Sequence, residues 1–327
     1  MTPRVSVILN SYNQGRFLAE TIESALAQRY GDFELLIIDN GSTDQSQSIA
    51  RDFAARDGRI TLSLHDENRS LSLRQNEGVA RARGEFVSFL YSDDLYLPHK
   101  LERQLELFAA HPEAGVVYAP ARGLNVLTGE KFVHPCLGRS GMILRALLTP
   151  STTGWIDMLS PLIRKEALTR YPFQEDLFAE GESVYFRIAM RWPFHFDPEP
   201  VVVLRDHDAN IGKAIRRNHE NFIEMLARME RHPDFPDELR SLLPAYRAHT
   251  ARNAGWQAIR MGADDMAWAR GRFTQALREH WPTALHPRTV IGLGMTLLPR
   301  RARQRLNALG FAVRRSSTNA VYREELR

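Results

Sequence analysis

Phe86-Val87-Ser88-Phe89-Leu90-Tyr91-Ser92-Asp93-Asp94-Leu95-Tyr96-Leu97-Pro98 is the stretch whose reading decides the fold. A short apolar run of this kind reads as a buried strand, and here it stops at two adjacent carboxylates. Beyond Pro98, residues 100–110 carry Leu101, Leu105 and Phe108 at helical spacing. Asp93 and Asp94 therefore stand where a buried strand emerges and the chain turns. In open α/β sheets, ligands bind at the carboxyl ends of the strands. Adjacent carboxylates repel unless something positive lies beside them. A Mg²⁺-like cation shared with a phosphate relieves that repulsion, because such ions take carboxylate and phosphate oxygens together. A solvated turn or a helix cap would use the same residues, since Asp is favoured at both.

Outward from this strand, the first ~120 residues alternate short apolar strands with amphipathic helices, the pattern of a parallel sheet covered on both faces. Val5 to Leu9 is the first strand, followed by Asn10-Ser11-Tyr12-Asn13 and a helix with Leu18, Ile22, Ala25 and Leu26 on one face. Phe33 to Ile38 is the second, ending in Asp39-Asn40-Gly41-Ser42-Thr43-Asp44, where Ser42 and Gln45 fit a capping box ahead of a helix that turns Ile49 and Phe53 inward. Ile60 to Leu64 is a third strand, residues 68–83 a loop and helix containing Arg74, Asn76 and Gly78, and Val116 to Tyr118 a fifth strand. Parallel strands bring Asn10/Ser11/Tyr12, Asp39/Asn40 and Asp93/Asp94 to one edge. There an aspartate can accept from a base N–H or a ribose hydroxyl, Tyr12 offers a stacking face, and Arg74 a charge-assisted donor to a diphosphate. Taken singly, Asp39 also reads as a helix cap, Tyr12 as a core aromatic and Arg74 as a solvated helix face.

These segments resemble the signatures of the family 2 glycosyltransferases. Val5 to Asn13 is similar to that family's opening, Phe33 to Asp44 to its Asp-Asp-Gly-Ser-Thr-Asp segment, and Arg74 to Glu85 to its Arg-Asn-x-Gly…Ala-x-Gly-Glu segment. Leu90 to Asp94, with Pro98 and Leu101-Glu102, is similar to its metal-binding signature, and the likeness covers about the first 210 residues. The resemblance implies a GT-A-type, Rossmann-like α/β mixed sheet flanked by helices. It also implies a nucleotide-sugar site in which Asp39 meets the base, Arg74 the nucleotide, and Asp93 and Asp94 the ribose, a divalent cation (Mn²⁺ or Mg²⁺) and the diphosphate. Asn10, Ser11, Tyr12 and Asn76 join that binding set. Asn40 replaces the usual second Asp, and Tyr91 replaces the first Asp of the metal signature.

In the acceptor half, 121–212, residues 123–133 read as a hairpin turning at Thr128-Gly129. Residues 141–148 read as a short helix, 151–155 as an exposed loop whose Trp155 offers a sugar-stacking face, and Ser160 to Arg164 as a strand. Gly181-Glu182-Ser183…Arg187 resembles the family's Gly-Glu-Asp segment and helix, with Ser183 in the place of Asp. The resemblance makes Glu182 the general base, with Glu180 in reserve; a carboxylate there also simply suits a helix N-terminus. Val201 to Asn210, a strand entering a polar loop, resembles the closing Tyr-Arg-x-His segment and makes His207 a metal ligand or diphosphate contact. A hydrogen-bonded structural His would read the same.

Residues 213–327 are expected to form a helical appendage with stripes at Phe222/Met225/Leu226/Met229, 239–261 with Trp256, and 266–281. Val290 to Leu298 is too short to span a bilayer. The net charge of +4 in 327 residues does not point to nucleic acid, but the positive excess is C-terminal: Arg288, Arg300, Arg301, Arg303, Arg305, Arg314, Arg315, Arg323 and Arg327 against Glu324 and Glu325. Short apolar segments beside clustered Arg suit peripheral contact with an anionic membrane; a core-shielding helix with solvated arginines would share the pattern. One Cys, Cys136, forbids an internal disulfide and suits a reducing compartment, and no signal segment is evident, so a cytoplasmic setting at the inner membrane face is expected. The last dozen residues are expected to be mobile.

The reaction expected is inverting transfer of a sugar from a UDP- or dTDP-sugar to a glycan, lipid-linked or peptide hydroxyl, in bacterial surface-glycan synthesis. A non-catalytic nucleotide-sugar-binding module is the competing reading. A dinucleotide oxidoreductase lacks its G-x-G-x-x-G after the first strand, and a glycoside hydrolase would not need the nucleotide-binding clusters.

Overall fold

The structure, a computed structural model, describes residues 2–150, 154–177, 180–207, 214–260, 265–284 and 286–306. Ser151 to Thr153 of the expected loop, Asp208 to Asn210 of the closing segment and the arginines beyond residue 306 lie outside the described residues, as does the tail expected to be mobile.

Along the chain run β1 (Val5–Ser11), α1 (Gly15–Leu26), β2 (Phe33–Asp39), α2 (Ser46–Ala54), β3 (Ile60–Leu64), α3 (Leu71–Arg81), β4 (Phe86–Tyr91), β5 (Leu95–Tyr96) and α4 (Lys100–Ala110). Then come β6 (Val116–Tyr118), β7 (Ala121–Asn125), β8 (Lys131–Val133), α5 (Leu144–Leu147), β9 (Leu162–Arg164), α6 (Lys165–Arg170), a 3₁₀ turn at Gly181–Ser183, α7 (Val184–Ile188), β10 (Phe194–Phe196) and β11 (Val202–Asp206). The helices α8 (Ile215–Glu230), α9 (Leu243–Arg260), α10 (Met266–Glu279), α11 (Trp281–Ala284) and α12 (Pro287–Leu297) follow.

The larger sheet has the order β10-β6-β9-β4-β1-β2-β3. Its β4, β1, β2 and β3 are parallel and β1 and β2 are buried throughout, as the continuous apolar runs of a two-face-covered sheet require. α3 lies close on this sheet because Gly78 has no side chain; a Cβ there would come 2.5 Å from Cγ2 of Ile8.

Two strands take places that the spacing of apolar residues does not specify. The strand expected at Ser160 to Arg164 forms as β9 and runs antiparallel between β4 and β6. The strand beginning near Val201 joins a second sheet, ordered β5-β11-β7-β8, in which the expected hairpin forms as β7 and β8. Asp93 and Asp94 therefore lie at the step from β4 in one sheet to β5 in the other, and β5 pairs antiparallel with β11. Periodicity reports which residues are buried but not which strand lies alongside, so neither placement was visible in the pattern.

Chain contacts divide the molecule into two compact units: residues 1–147, 151–210 and 225–236, and residues 148–150, 211–224 and 237–327. Within the second, Ala258, Ile259, Met266, Ala269, Phe273 and Met295 form the core. α12 seats against Phe273 through Gly292, where a Cβ would fall 2.2 Å from the ring. No helix among the described residues is long and apolar enough to cross a membrane.

Candidate functional site

The sheet register assembles the site. Asn10 of β1 pairs with Tyr91 of β4, and Ser11 pairs with Asp39 of β2, so the three strand ends expected to converge share one edge. What they present is polar and underused. Both side-chain atoms of Asn10, Oγ of Ser11 and Oε1 of Gln75 are buried with no hydrogen-bond partner. Buried polar atoms in folded proteins are almost always paired, so these atoms, without a partner among the described residues, set this edge apart from the rest of the sheet.

Beside them, the two loops that follow β1 and β2 lock together. Asn13 takes a left-handed φ of 51° and its Oδ1 accepts from the backbone N–H of Thr43 at 2.8 Å. The Asn13 N–H donates to Oγ of Ser42, and that of Gly15 to Oδ2 of Asp44, both at 2.9 Å. Tyr12, 43% exposed, stands at the lip of these loops and is not a core aromatic. Gly41, at φ +80°, has no room for a Cβ, which would lie 2.5 Å from the Glu67 carbonyl carbon.

Asp39 is fully buried and accepts from the Ser42 N–H (2.8 Å), the Ser42 hydroxyl (2.6 Å) and Nε2 of Gln47 (3.0 Å). Ser42 therefore serves Asp39, and the capping box expected with Gln45 is not made; α2 begins at Ser46, whose N–H is held by Asp44. Asn40 does what an aspartate could not. Its Nδ2 donates to the Arg69 carbonyl and Oδ1 of Asn68, both at 2.8 Å, while its Oδ1 accepts from Nε of Arg74 at 2.7 Å. Arg74 is accordingly buried and held, with a second contact to Glu77 at 3.3 Å. Asn76 turns away from this edge: its amide brackets Phe173 at the carbonyl (2.8 Å) and N–H (2.9 Å) and reaches Glu175, so it staples the 173–175 segment.

The carboxylates come next. Asp94 is buried, and its Oδ1 accepts from the Arg205 N–H of β11 at 2.7 Å. Burial first, and the neighbouring Asp93 charge second, raise its carboxyl well above the ordinary range. Asp93 meets Nε2 of His207 at 3.0 Å, and Nη2 of Arg16 lies 3.3 Å from Nδ1 of the same ring. An Arg can only donate, so Nδ1 accepts and Nε2 carries the proton toward Asp93. Both ring nitrogens of His207 are thus engaged. Among the described residues no three His, Cys, Asp or Glu side chains come together as a metal-ligand set, so the trio Asp93, Asp94 and His207 is not assembled as one.

Tyr91, half-buried, accepts from Nε2 of Gln75 at 3.2 Å. Burial, then Glu182, Asp93 and Asp94, push its hydroxyl well above the usual phenol range, so it stays protonated and able to donate. Where the related signature carries a carboxylate, this chain carries a neutral donor.

Glu182 is solvent-reached yet ringed by protein, and desolvation followed by the Asp157 charge raises its carboxyl. Glu180, its reserve, is held by other partners. It is 5% exposed, and Arg187 grips it at 2.6 and 2.8 Å through Nη2 and 3.0 Å through Nε, while the Gln174 N–H takes Oε2 at 2.7 Å. This buried pair fixes the turn that carries Glu182. Arg187→Met strands the Glu180 charge, and the expected loss is about 3–5 kcal/mol of stability, read by thermal or urea unfolding.

Asp157 escaped the sequence reading. It is buried, its Oδ1 accepts from the N–H groups of Leu159 (2.9 Å) and Ser160 (2.7 Å), and burial raises its carboxyl. Its signal was an acid enclosed by Ile156, Met158 and Leu159. Nearby, buried Lys100 donates to Oε1 of Gln104 and the Ser160 carbonyl, and burial pushes its amine down to about 7. Trp155 is 47% exposed, on the exposed side of the expectation.

The profile of the family described as "Glycosyl transferase family 2" matches residues 6–158. Among curated relatives, the putative teichuronic acid biosynthesis glycosyltransferase TuaG of Bacillus subtilis is 38% identical over 104 residues, 32% of this chain and 41% of that protein. Among solved structures, an S. aureus TarS fragment in complex with UDP-GlcNAc superposes with a TM-score of 0.65 and 14% identity, covering 90% of each chain. The mannosyltransferase PcManGT of Pyrobaculum calidifontis, in complex with GDP-Man and Mn²⁺, gives 0.59 and 21%, covering 94% of this chain and 85% of that one. The fold is that of these GT-A glycosyltransferases. The chain spans 36% and 58% of the lengths of two further curated relatives.

Proposed function

Residues 6–158 belong to glycosyltransferase family 2, and from that premise we propose that the chain is an inverting glycosyltransferase using a nucleoside-diphosphate sugar, UDP- or dTDP-linked. The observation that carries this reading is the set of buried polar atoms on Asn10, Ser11 and Gln75 without a partner among the described residues, beside the buried carboxyl of Asp94. A nucleotide and its sugar bring the donors and acceptors these atoms lack. Asp39 and Arg74 support that pocket through the loops they hold, and Tyr12 offers its ring at the lip.

A hard divalent cation fits two adjacent carboxylates, one of them proton-hungry, with further ligands taken from diphosphate oxygens. Asp93 and Asp94 would hold it. When bound, such a cation neutralises charge on a departing diphosphate. His207, donating to Asp93, orients that carboxylate. Glu182 accepts the proton of the acceptor hydroxyl, whose oxygen attacks the anomeric carbon opposite the leaving group. The acceptor is a glycan, lipid-linked or peptide hydroxyl at the cytoplasmic membrane face, in surface-polysaccharide assembly, and the likeness to a putative teichuronic acid biosynthesis glycosyltransferase supports the polysaccharide part of that reading. Ser183 in place of the usual Asp, and the engaged His207, favour a second reading, a nucleotide-sugar-binding module without turnover.

A thermal-shift panel of UDP-, dTDP- and GDP-sugars, with and without Mn²⁺ or Mg²⁺, tests the proposal. One donor is expected to raise Tm by roughly 5–10 °C at about a hundredfold excess over Kd, only with metal. No shift from any donor overturns it. A shift without turnover, for every acceptor class above, establishes the binding module instead.

A further inference from the structure

The second unit contains a charge that no group among the described residues answers. Arg252 of α9 is 5% exposed, its Nε is buried without a partner among the described residues, and its Nη2 reaches Nδ1 of His249 at 2.9 Å. Because a guanidinium only donates, His249 is held neutral with Nδ1 as acceptor. The Asn253 side-chain amide faces Nε2 of His249 at 2.8 Å and the Tyr246 ring stacks on it, while Arg288 and His286, at the N-terminus of α12, each repel positive charge at Arg252 or His249. Among the described residues no carboxylate acts on Arg252, His249 or His286. A buried charge without a counter-charge is costly to hold, and an arriving anion would relieve that cost. Thr289, one residue into α12 from Arg288, adds a buried hydroxyl without a partner. The positive end of the α12 helix dipole points the same way.

The outer face of α12 shows what delivers that anion. Its buried stripe is Thr289, Gly292, Met295 and Thr296, and the opposite stripe is apolar yet exposed: Val290 at 63%, Ile291 at 53% and Leu297 at 72%. Trp281, 69% exposed, precedes it, and Arg300 and Arg301 follow. An apolar helix face with cations at both ends suits the interface of an anionic bilayer, where the side chains enter the acyl boundary and the cations meet headgroups. A free phosphate would not need the apolar stripe.

We propose that Arg252, His249, His286, Arg288 and the N-terminus of α12 form a binding site for the phosphate of an anionic phospholipid, with Val290, Ile291 and Leu297 seated in the membrane. The site does not depend on the donor reading, since its residues belong to the other compact unit.

Flotation of the full chain with vesicles tests it. With about three parts phosphatidylcholine to one part phosphatidylglycerol, binding is expected to exceed that to phosphatidylcholine alone by at least about tenfold and to fall with salt. Arg252→Gln and Ile291→Glu are each expected to remove most of that gain, while the donor-induced thermal shift of both variants stays at the wild-type value. Ile291 is exposed, so its variant keeps the test valid if the Arg252 variant unfolds. Equal binding to both vesicle types overturns the proposal, as does full retention by Ile291→Glu. Stabilisation by inorganic phosphate with no vesicle preference also overturns it, in favour of a soluble anion.

Discussion

Glu182→Gln is expected to lower kcat by roughly 10²–10⁴-fold while the donor still binds, because a general base typically contributes that much and touches the acceptor hydroxyl, not the nucleotide. The variant keeps the size and shape of the side chain, and Arg187 still holds Glu180 and the turn, so lost activity cannot come from a displaced loop. Acidity separates this from a structural effect. The proposed role requires Glu182 ionised, and its carboxyl is raised by desolvation and then by Asp157. The acidic limb of kcat against pH is therefore expected above the ~4.3 of an ordinary glutamate, with activity falling as pH falls through it. Asp157→Asn retains the Oδ1 that caps Leu159 and Ser160 and removes the like charge, so the limb should move toward lower pH. A kcat unchanged by Glu182→Gln would remove Glu182 from the chemistry.

Asp94→Asn is expected to separate stability from function. The amide retains the acceptor for the Arg205 N–H and removes a buried charge beside Asp93. Because the folded carboxyl is raised above its unfolded value, the native state binds the extra proton more tightly. That contribution is fully present below the unfolded value near ~3.9 and is lost as pH rises toward the folded value. Without metal near neutral pH, the variant should thus be the more stable protein, by about 1–2 kcal/mol, and the difference should vanish in acid. With Mn²⁺ or Mg²⁺ and donor the order reverses: wild type gains the ligand-linked increment and the variant does not, and turnover falls by roughly 10²-fold or more. Paired melts at two pH values, with and without metal and donor, read every part of this. A variant that responds to metal and donor as wild type does would place the cation elsewhere.

Much of the architecture was legible. Ile60–Leu64, Val116–Tyr118 and Lys100–Ala110 occupy the spans that their apolar spacing indicated, since burial on one face or two leaves a periodic mark. The common edge of β1, β2 and β4 was legible for the same reason, because parallel strands separated by helices leave few alternatives. Partnership between polar groups was not. Ser42 sits where a capping serine would, yet its hydroxyl goes to Asp39; Asn76 fits a binding signature, yet its amide holds the 173–175 segment. Such choices depend on distances between segments far apart in sequence. Glu180 and Glu182, two residues apart, take opposite fates because Arg187 reaches one of them, and Asp157 became visible only when folding enclosed it.

Asn40 sets a condition on what its position can hold. Its amide hydrogens are taken by the Arg69 carbonyl and by Asn68, and a carboxylate has none to give. An aspartate there would leave that carbonyl facing negative charge unless the 68–69 turn were rewired in the same step. The acid and the present turn exclude one another, so position 40 and residues 68–69 can change only together.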